Sequence, residues 1–316
     1  MSRRPSVAIV SVNYNQTELT GEMLASIEAA GLHEWCEVYV VDNASEVDGS
    51  PVLAKAYPWV RTLRSDENLG FAGGNNLAIR RTQAEYVFLL NNDALIDAGV
   101  LEGLLSRFRE NPRLGIVSPI IYDYPQRGDR PTIQYAGATA VSPLTGRNTT
   151  QHCGETPEVL PKGVHATAYA HGAALLVSRD AMNAAGLMDE GFFLYYEELD
   201  YCERVRRAGF EIAVDHDVAI WHRESVSTGV DSAFKTYWIN RSRILYQRRN
   251  LSTVKSAVFQ AFYLGLVLPM HGLKHLLAGR TAHAAAMWRA FAEQPDLHPQ
   301  TQTAPRTTSA LTAAKA

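Results

Sequence analysis

The sequence predicts an α/β fold with a mostly parallel central sheet flanked by helices. Strand-like and helix-like stretches alternate through the first 120 residues. The strand-like runs are apolar at nearly every position, as expected of strands buried on both faces rather than one. Several of these runs end in polar clusters, VNYN, VDNAS and NND, at the carboxyl strand ends where open α/β sheets bind ligands.

The elements follow in order. VAIVSV (7–12) reads as a first strand, followed by a helical pattern from Thr17 to about Ala30. EVYVVDN (37–43) is a second strand with a short helix from Pro51 to Tyr57, and VRTLRS (60–65) a third. A glycine-rich loop then leads into a helix expected from about Asn75 to Arg81. YVFLL (86–90), a helix over 98–110 and GIVSPII (115–121) complete the alternation. Pro, Gly, Thr and Asn dominate 122–165, which reads as loops and an irregular hairpin. AALLVS (173–178) is strand-like, and RDAMNAAG is a short helix with Gly186 as its C-cap. GFFLYYEELDYCERVRRAG places acids early and Arg204, Arg206 and Arg207 late in a helix, as the helix dipole favours. FEIAVDHDVAIWH reads as two short strands.

A hydrophobic content of 46% with 20% charged residues suits a soluble globular chain, and a net charge of −3 excludes a general nucleic-acid binder. The charge is uneven, however. Between Ser232 and Ala292 there are nine Lys or Arg and no Asp or Glu, so a basic segment follows a body of charge −12. Cys36, Cys153 and Cys202 lack CxxC spacing and read as core residues or inert thiols of a reducing compartment. The N-terminus reads as a first strand rather than a signal peptide. The run AVFQAFYLGLVLPM (257–270) is 14 residues long, short of the ~20 that span a bilayer. Residues 294–316, rich in Thr, Ala, Pro and Gln, read as a disordered tail.

Several residues have the chemistry of a site, each with a plainer reading beside it. In NLGFAGGNN (68–76), Gly70, Gly73 and Gly74 serve a tight turn or a close backbone approach to a diphosphate. Asp42 in VVDNAS is a cap or a nucleoside-binding carboxylate. Asp93 in LLNNDA begins an Asx-turn, with Asp97 capping the next helix, or supplies a hard oxygen ligand to a divalent cation held with phosphates. Glu197, Glu198, Asp200 and Glu203 form a solvated helix start, or a carboxylate set against FFLYY with the raised pKa a general base needs. His222, ending IWH, is a structural histidine or a metal ligand.

Taken in order, VSVNYN, VVDNAS, NLGFAGGNN, LLNNDA, HGAALLVSRDA, FFLYYEELDYCERVRRAGF and IWHRES resemble a family 2 glycosyltransferase of the GT-A fold, in its bacterial rhamnosyltransferase-like branch. The resemblance spans roughly residues 6–225. It implies a nucleotide-binding half over about 1–120, an acceptor-binding half over about 121–230, a basic amphipathic helical extension over 231–293 and the tail. It assigns Asp93, the last residue of a DxD-like NND, to a Mg²⁺ or Mn²⁺ that bridges the donor diphosphate, with His222 completing the metal site and Asn92 beside it. Asp42, with Asn13 and Tyr14 nearby, falls to the nucleobase, and Asn68, Gly70 and Gly73 to the loop over the nucleotide. His171 and Gly172 line the acceptor side. The family's catalytic base is the second carboxylate of an "ED" pair, here Glu198, with Glu197 positioning it and Asp200 the substitute. NND departs from strict DxD, and Glu198 stands where Asp is usual.

The resemblance implies an inverting transfer of a hexose, L-rhamnose from dTDP-rhamnose foremost, then galactofuranose, GlcNAc or glucose from UDP, onto a glycan or lipid-linked acceptor. The acid-free stretch 253–291 suits a basic amphipathic surface on anionic membrane. That suggests a peripheral enzyme at the cytoplasmic face with a polyprenyl-diphosphate-linked acceptor, met by Arg241 and Arg243. A scaffold without catalysis would need no base, and a dinucleotide-dependent dehydrogenase would need the absent GxGxxG.

Overall fold

The computed structural model describes residues 5–124, 130–223 and 232–295. The expected tail falls almost entirely outside the described residues, as do Glu224 and Ser225 of IWHRES.

The first half alternates as expected. Its elements are β1 (Val7–Asn13), α1 (Thr17–Ala29), β2 (Cys36–Asn43), α2 (Ser50–Ala56), β3 (Val60–Ser65), α3 (Gly70–Ile79) and β4 (Tyr86–Leu90). Then come β5 (Ala94–Ile96), α4 (Val100–Glu110), β6 (Leu114–Asp123), β7 (Ile133–Tyr135), β8 (Val164–Ala166), β9 (Ala174–Ser178), α5 (Arg179–Ala185), α6 (Glu197–Arg207) and β10 (Glu211–His222). A helical region closes the described chain: α7 (Ala233–Asn250), α8 (Thr253–Phe262), α9 (Leu268–Leu277) and α10 (Thr281–Ala292).

The strands form one sheet in the order β3-β2-β1-β4-β9-β6-β10-β5, with β7 added to β6 and β8 to β10. β3, β2, β1 and β4 are mutually parallel. β9 runs antiparallel between β4 and β6, and β10 is parallel to β6. β1, β2, β4, β6 and β10 therefore point the same way, and their carboxyl ends share one sheet edge. The continuous apolar runs are buried on both faces: Val7, Ala8, Ile9 and Val10 of β1 and Val87, Phe88, Leu89 and Leu90 of β4 are all at most 2% exposed. Burying each such aliphatic side chain stabilises the fold by about 1.5–3 kcal/mol before entropy is counted.

Four local expectations change. α3 starts at Gly70, not Asn75, so the glycine run is the helix's first turns rather than a loop. Gly74 is needed there because a Cβ would lie 2.9 Å from both Val12 methyl groups. The C-terminal pair of short strands is one strand, β10, bent by a register shift between Asp215 and Ala219. Asp97 caps nothing, since α4 begins after Gly99 in the left-handed region. Cys153 is exposed rather than in the core, while Cys202 is buried.

The helical region has its own small core of Ile244, Phe259, Tyr263, Leu268 and Met287, while Leu245 and Tyr246 of α7 join the main core. A π-helical turn, Tyr263–Val267, links α8 to α9 without a break. The apolar run is thereby part of a 25-residue helix, Thr253–Leu277, long and apolar enough to cross a membrane by length and composition. The 14-residue estimate from sequence understated it, because Pro269 sits near the start of α9 and does not interrupt the axis. Much of this helix is exposed, including Val254, Val258, Leu266, Met270, Leu273, Leu276 and Leu277.

Candidate active site

Topology gathers the candidate residues at the shared carboxyl edge. Asn91 follows β4 directly and donates its backbone N–H to Ala173 O (2.9 Å). β9 starts at this edge because it is antiparallel, with Ala174 opposite Leu90, which brings His171 and Gly172 here. β5 turns back against β10 with Ala94 opposite His222, so Asp93 stands beside that imidazole. Together these residues line a cleft of about 330 Å³ that also includes Tyr14, Asn68, Gly70, Glu197 and Glu198. Backbone strain collects around it: Asn15 and Ala44 after β1 and β2, and Tyr195 and Tyr196 before α6, hold positive φ values, which cost about 1–3 kcal/mol each for non-glycine residues.

Asp93 and His222 are buried, and Asp93 Oδ1 lies 3.2 Å from His222 Nε2. The imidazole tautomer is set from behind. Gln134 Nε2 donates to Asp123 Oδ1 (3.3 Å), which turns Gln134 Oε1 toward His222 Nδ1 at 2.7 Å. Nδ1 therefore carries the proton, and Nε2 presents a lone pair to Asn91 Nδ2 (3.2 Å) and to the cleft. Asp93 Oδ1 is buried, and no hydrogen-bond donor among the described residues reaches it. Two lone-pair-bearing atoms this close, one of them an unsatisfied carboxylate oxygen, could together serve as ligands to a hard divalent cation. Among the described residues no group of three or more His, Cys, Asp or Glu could hold a metal by itself. The site fits an ion that arrives with its substrate. Asn92 turns away from this pair and donates to Thr20 Oγ1 (3.1 Å) and Gln16 Oε1 (3.3 Å), tying the turn to α1.

Glu197 and Glu198 open α6 directly after the two strained tyrosines. Burial pushes the Glu198 carboxyl up to about 7. Burial and the neighbouring Glu198 charge raise Glu197 well above its ordinary value, and its Oε2 has no hydrogen-bond partner. Two neighbouring carboxyls withdrawn from solvent in this way disfavour ionising together. Asp200 is not part of this pair. It is 2% exposed, paired with Arg204 Nε at 2.8 Å, and accepts from Asn250 Nδ2 at 2.9 Å. The i,i+4 ion pair removes it as a substitute base.

One wall of the cleft is arranged around Gly70 and Asn68. Gly70 has φ +67°, and a Cβ there would stand 2.1 Å from Phe193 O. Phe71 N donates to that same oxygen (3.0 Å), so the start of α3 docks on the loop that leads to Glu197. Asn68 Oδ1 accepts from Gly70 N (2.9 Å) and Asn43 Nδ2 (3.0 Å). Gly73 packs on Leu69 and is not at the cleft wall. Asn13 is wholly buried; it donates to Asp42 Oδ2 (3.1 Å) and accepts from Gln16 N and Thr20 Oγ1. Asp42 is 1% exposed, with Oδ1 taken by Arg64 Nη1 (2.6 Å) and Ser45 N (3.0 Å). In this structure Asn13 thus supports Asp42 and cannot itself touch a ligand. Any ligand group that meets Asp42 would have to displace Arg64.

On another wall, His171 lines the cleft with its pKa lowered to about 3 by burial and by nearby His222. Its Nδ1 accepts from Ala173 N (3.1 Å), leaving Nε2–H as a donor. Gly172 packs near Phe71, where a Cβ would make ordinary contact at 3.5 Å. Arg241 does not meet the cleft: it donates to Gly191 O (3.0 Å) and lies over the Trp238 ring. Arg243 is buried beside Tyr196, to whose hydroxyl oxygen it donates at 3.2 Å. Gln134 and Arg64 were invisible to sequence reasoning. Gln134 sits in a stretch that reads as irregular, and Arg64 in an ordinary strand.

This architecture is that of the GT-A glycosyltransferases. The crystal structure of GalNAc-T7 with UDP, GalNAc and Mn²⁺ matches with a TM-score of 0.66 at 11% identity, over 93% of this chain and 57% of that one. Residues 6–176 match Glycosyl transferase family 2, and the chain belongs to that family. Similar curated proteins include the N-acetylglucosaminyl-diphospho-decaprenol L-rhamnosyltransferase of Mycobacterium tuberculosis, 30% identical over 71% of this chain and 78% of that one. The low-salt glycan biosynthesis hexosyltransferase Agl10 of Haloferax volcanii is 27% identical, over 76% and 74%.

Proposed function

We propose that this glycosyltransferase transfers L-rhamnose from dTDP-L-rhamnose, with inversion and with a divalent cation, onto a polyprenyl-diphosphate-linked sugar. The observation that carries the reading is the orphaned Asp93 Oδ1 beside the Nε2 lone pair of His222, in the same cleft as Glu198. Asp93 and His222 would hold Mg²⁺ or Mn²⁺, which when bound neutralises charge on the donor's diphosphate. Glu198 takes the proton of the acceptor hydroxyl. The freed oxygen bonds to the anomeric carbon from the face opposite the phosphate, whose bond to that carbon breaks, and the nucleoside diphosphate leaves with the electron pair. Burial holds the Glu198 pKa near the working range, and burial with the Glu198 charge raises its neighbour Glu197 further. The rhamnosyl donor and lipid-linked acceptor rest on the similarity to the mycobacterial rhamnosyltransferase.

A thermal-shift panel of dTDP-rhamnose, UDP-galactofuranose, UDP-GlcNAc and UDP-glucose, each with and without Mn²⁺, tests the donor. The largest Mn²⁺-dependent stabilisation is expected with dTDP-rhamnose; a larger one with a UDP-sugar reassigns the donor, and none with any of them removes the reading. Gln134→Met unlocks the His222 tautomer, and losing such a supporting hydrogen bond costs about 10–100-fold in metal affinity. Mn²⁺ titration in the presence of donor reads this directly, and an unchanged affinity would show that His222 takes no part.

The basic, acid-free helical region and the exposed apolar residues of Thr253–Leu277 support contact with anionic membrane at the cytoplasmic face. The doubly substituted Leu276→Glu, Leu277→Glu protein is expected to lose most of its flotation with phosphatidylglycerol vesicles. Undiminished flotation would place the membrane contact elsewhere.

A further inference from the structure

A second cavity, of about 270 Å³, adjoins the cleft: Lys235 lines both. Its other walls carry Arg147, Arg243, His271 and His275, and no Asp or Glu lines it among the described residues. This is a built site, not a chance meeting of surface cations. Tyr196 donates its hydroxyl to Gly146 O (2.6 Å) and accepts from Arg243 Nε. A Cβ on Gly146 would sit 2.7 Å from Arg243 Cγ, so the loop closes directly on that side chain. Gln247 Nε2 pins the same loop through Ser142 O (2.8 Å), which fixes where Arg147 emerges. Burial first, then the nearby charges of Arg147, Lys274 and Arg243, lower the His271 pKa, so the ring senses a positive field. A cavity walled by basic side chains and by no described acid favours an anion.

Two further features identify the anion. Tyr196 immediately precedes the Glu197–Glu198 pair, so one residue couples the arginine pocket to the candidate base. On the remaining side, His271 and His275 belong to the helix that exposes Met270, Leu273 and Leu277. A ligand lying across these surfaces has a sugar in the cleft, a compact multivalent anion in the pocket and an apolar chain along the helix. We infer that the cavity walled by Arg147, Lys235, Arg243 and His271 binds the diphosphate of a polyprenyl-diphosphate-linked acceptor. The inference rests on the glycosyl-transfer reading and names the part of the acceptor that this second cavity holds.

The test is a binding measurement that needs no turnover. Farnesyl diphosphate is titrated into the full-length protein in EDTA, so that no metal can hold a diphosphate at Asp93. Arg147 is exposed, so Arg147→Gln should fold normally. One lost charge-assisted hydrogen bond should weaken farnesyl diphosphate binding by about tenfold or more. Arg147→Lys should recover part of that loss, and the distant surface change Arg113→Gln should have no effect. Inorganic pyrophosphate should bind more weakly than farnesyl diphosphate, and phosphatidylglycerol vesicle binding should be unchanged in Arg147→Gln. Undiminished farnesyl diphosphate binding in Arg147→Gln overturns the inference. So does pyrophosphate binding as tightly as the prenylated form, or a parallel loss of vesicle binding, which would make the cavity a site for free anions or lipid headgroups. A protein that binds farnesyl diphosphate but no nucleotide sugar would keep this site and lose the transfer reading; the converse result would do the reverse.

Discussion

Asp93→Ala is expected to abolish Mn²⁺-dependent donor binding and to reduce kcat/KM by at least about 10³-fold, equivalent to about 4 kcal/mol of transition-state stabilisation. The cause is local. Asp93 supplies the carboxylate of a two-residue donor set, and the Gln134 contact favours the tautomer of His222 whose Nε2 lone pair faces it. Without the carboxylate, one imidazole lone pair remains to hold a cation in water, and the donor diphosphate returns to repelling its surroundings. The same substitution should leave the Tm of the unliganded protein unchanged or slightly higher, because it removes a buried acceptor that no donor satisfies. That combination separates a ligand-binding role from a structural one. Asp93→Asn is the stringent control: it preserves volume and shape while removing the charge and turning one acceptor oxygen into an N–H donor. If Asp93→Asn bound donor with Mn²⁺ as tightly as the unsubstituted protein, the cation would have to sit elsewhere.

Local patterns carried the first half of the fold. Strands buried on both faces and their polar terminal residues are features of single segments, so β1, β2, β4 and the NND turn were readable without knowing what packs on them. The start of α3 was misread because glycine is a poor helix former in isolation, whereas here the absence of side chains lets α3 press onto Val12 and Phe193. The direction of β9 and the register that sets Ala94 opposite His222 are long-range facts with no local signal. At the site, His171 entered only through the family resemblance, whereas Asp93, Glu198 and His222 could be nominated because their positions at strand and helix ends are local. Their partners could not. Gln134 reaches His222 from 88 residues away, and Arg64 closes over Asp42 from 22. Asp200 is a different case: its i,i+4 spacing to Arg204 is local, yet the sequence leaves it as a substitute base and the ion pair emerges only in the structure.

Glu198→Gln should bind donor and Mn²⁺ much as the unsubstituted enzyme does and lose transfer by about 10²–10⁴-fold, the range general-base catalysis contributes. The pH profile follows from the raised pKa. A base must be deprotonated, so kcat/KM should rise tenfold per pH unit below about 7 and level off above it; in Glu198→Gln the residual rate should lack this limb. Stability supplies an independent readout with the opposite sign. The folded protein binds the Glu198 proton more tightly than the unfolded chain does, so this group's contribution is fully present below the unfolded pKa of about 4.3. It is lost as pH rises through about 7, where ionisation in a dry pocket works against the fold. Glutamine never ionises. Glu198→Gln should therefore match the unsubstituted protein near pH 4 and be the more stable of the two near pH 8, by on the order of 1–3 kcal/mol. Loss of activity together with gain of alkaline stability is the signature of a carboxylate held where it is catalytically useful and structurally costly. Retained transfer in Glu198→Gln would pass the base to Glu197, the only other carboxylate of the described helix start that lines the cleft.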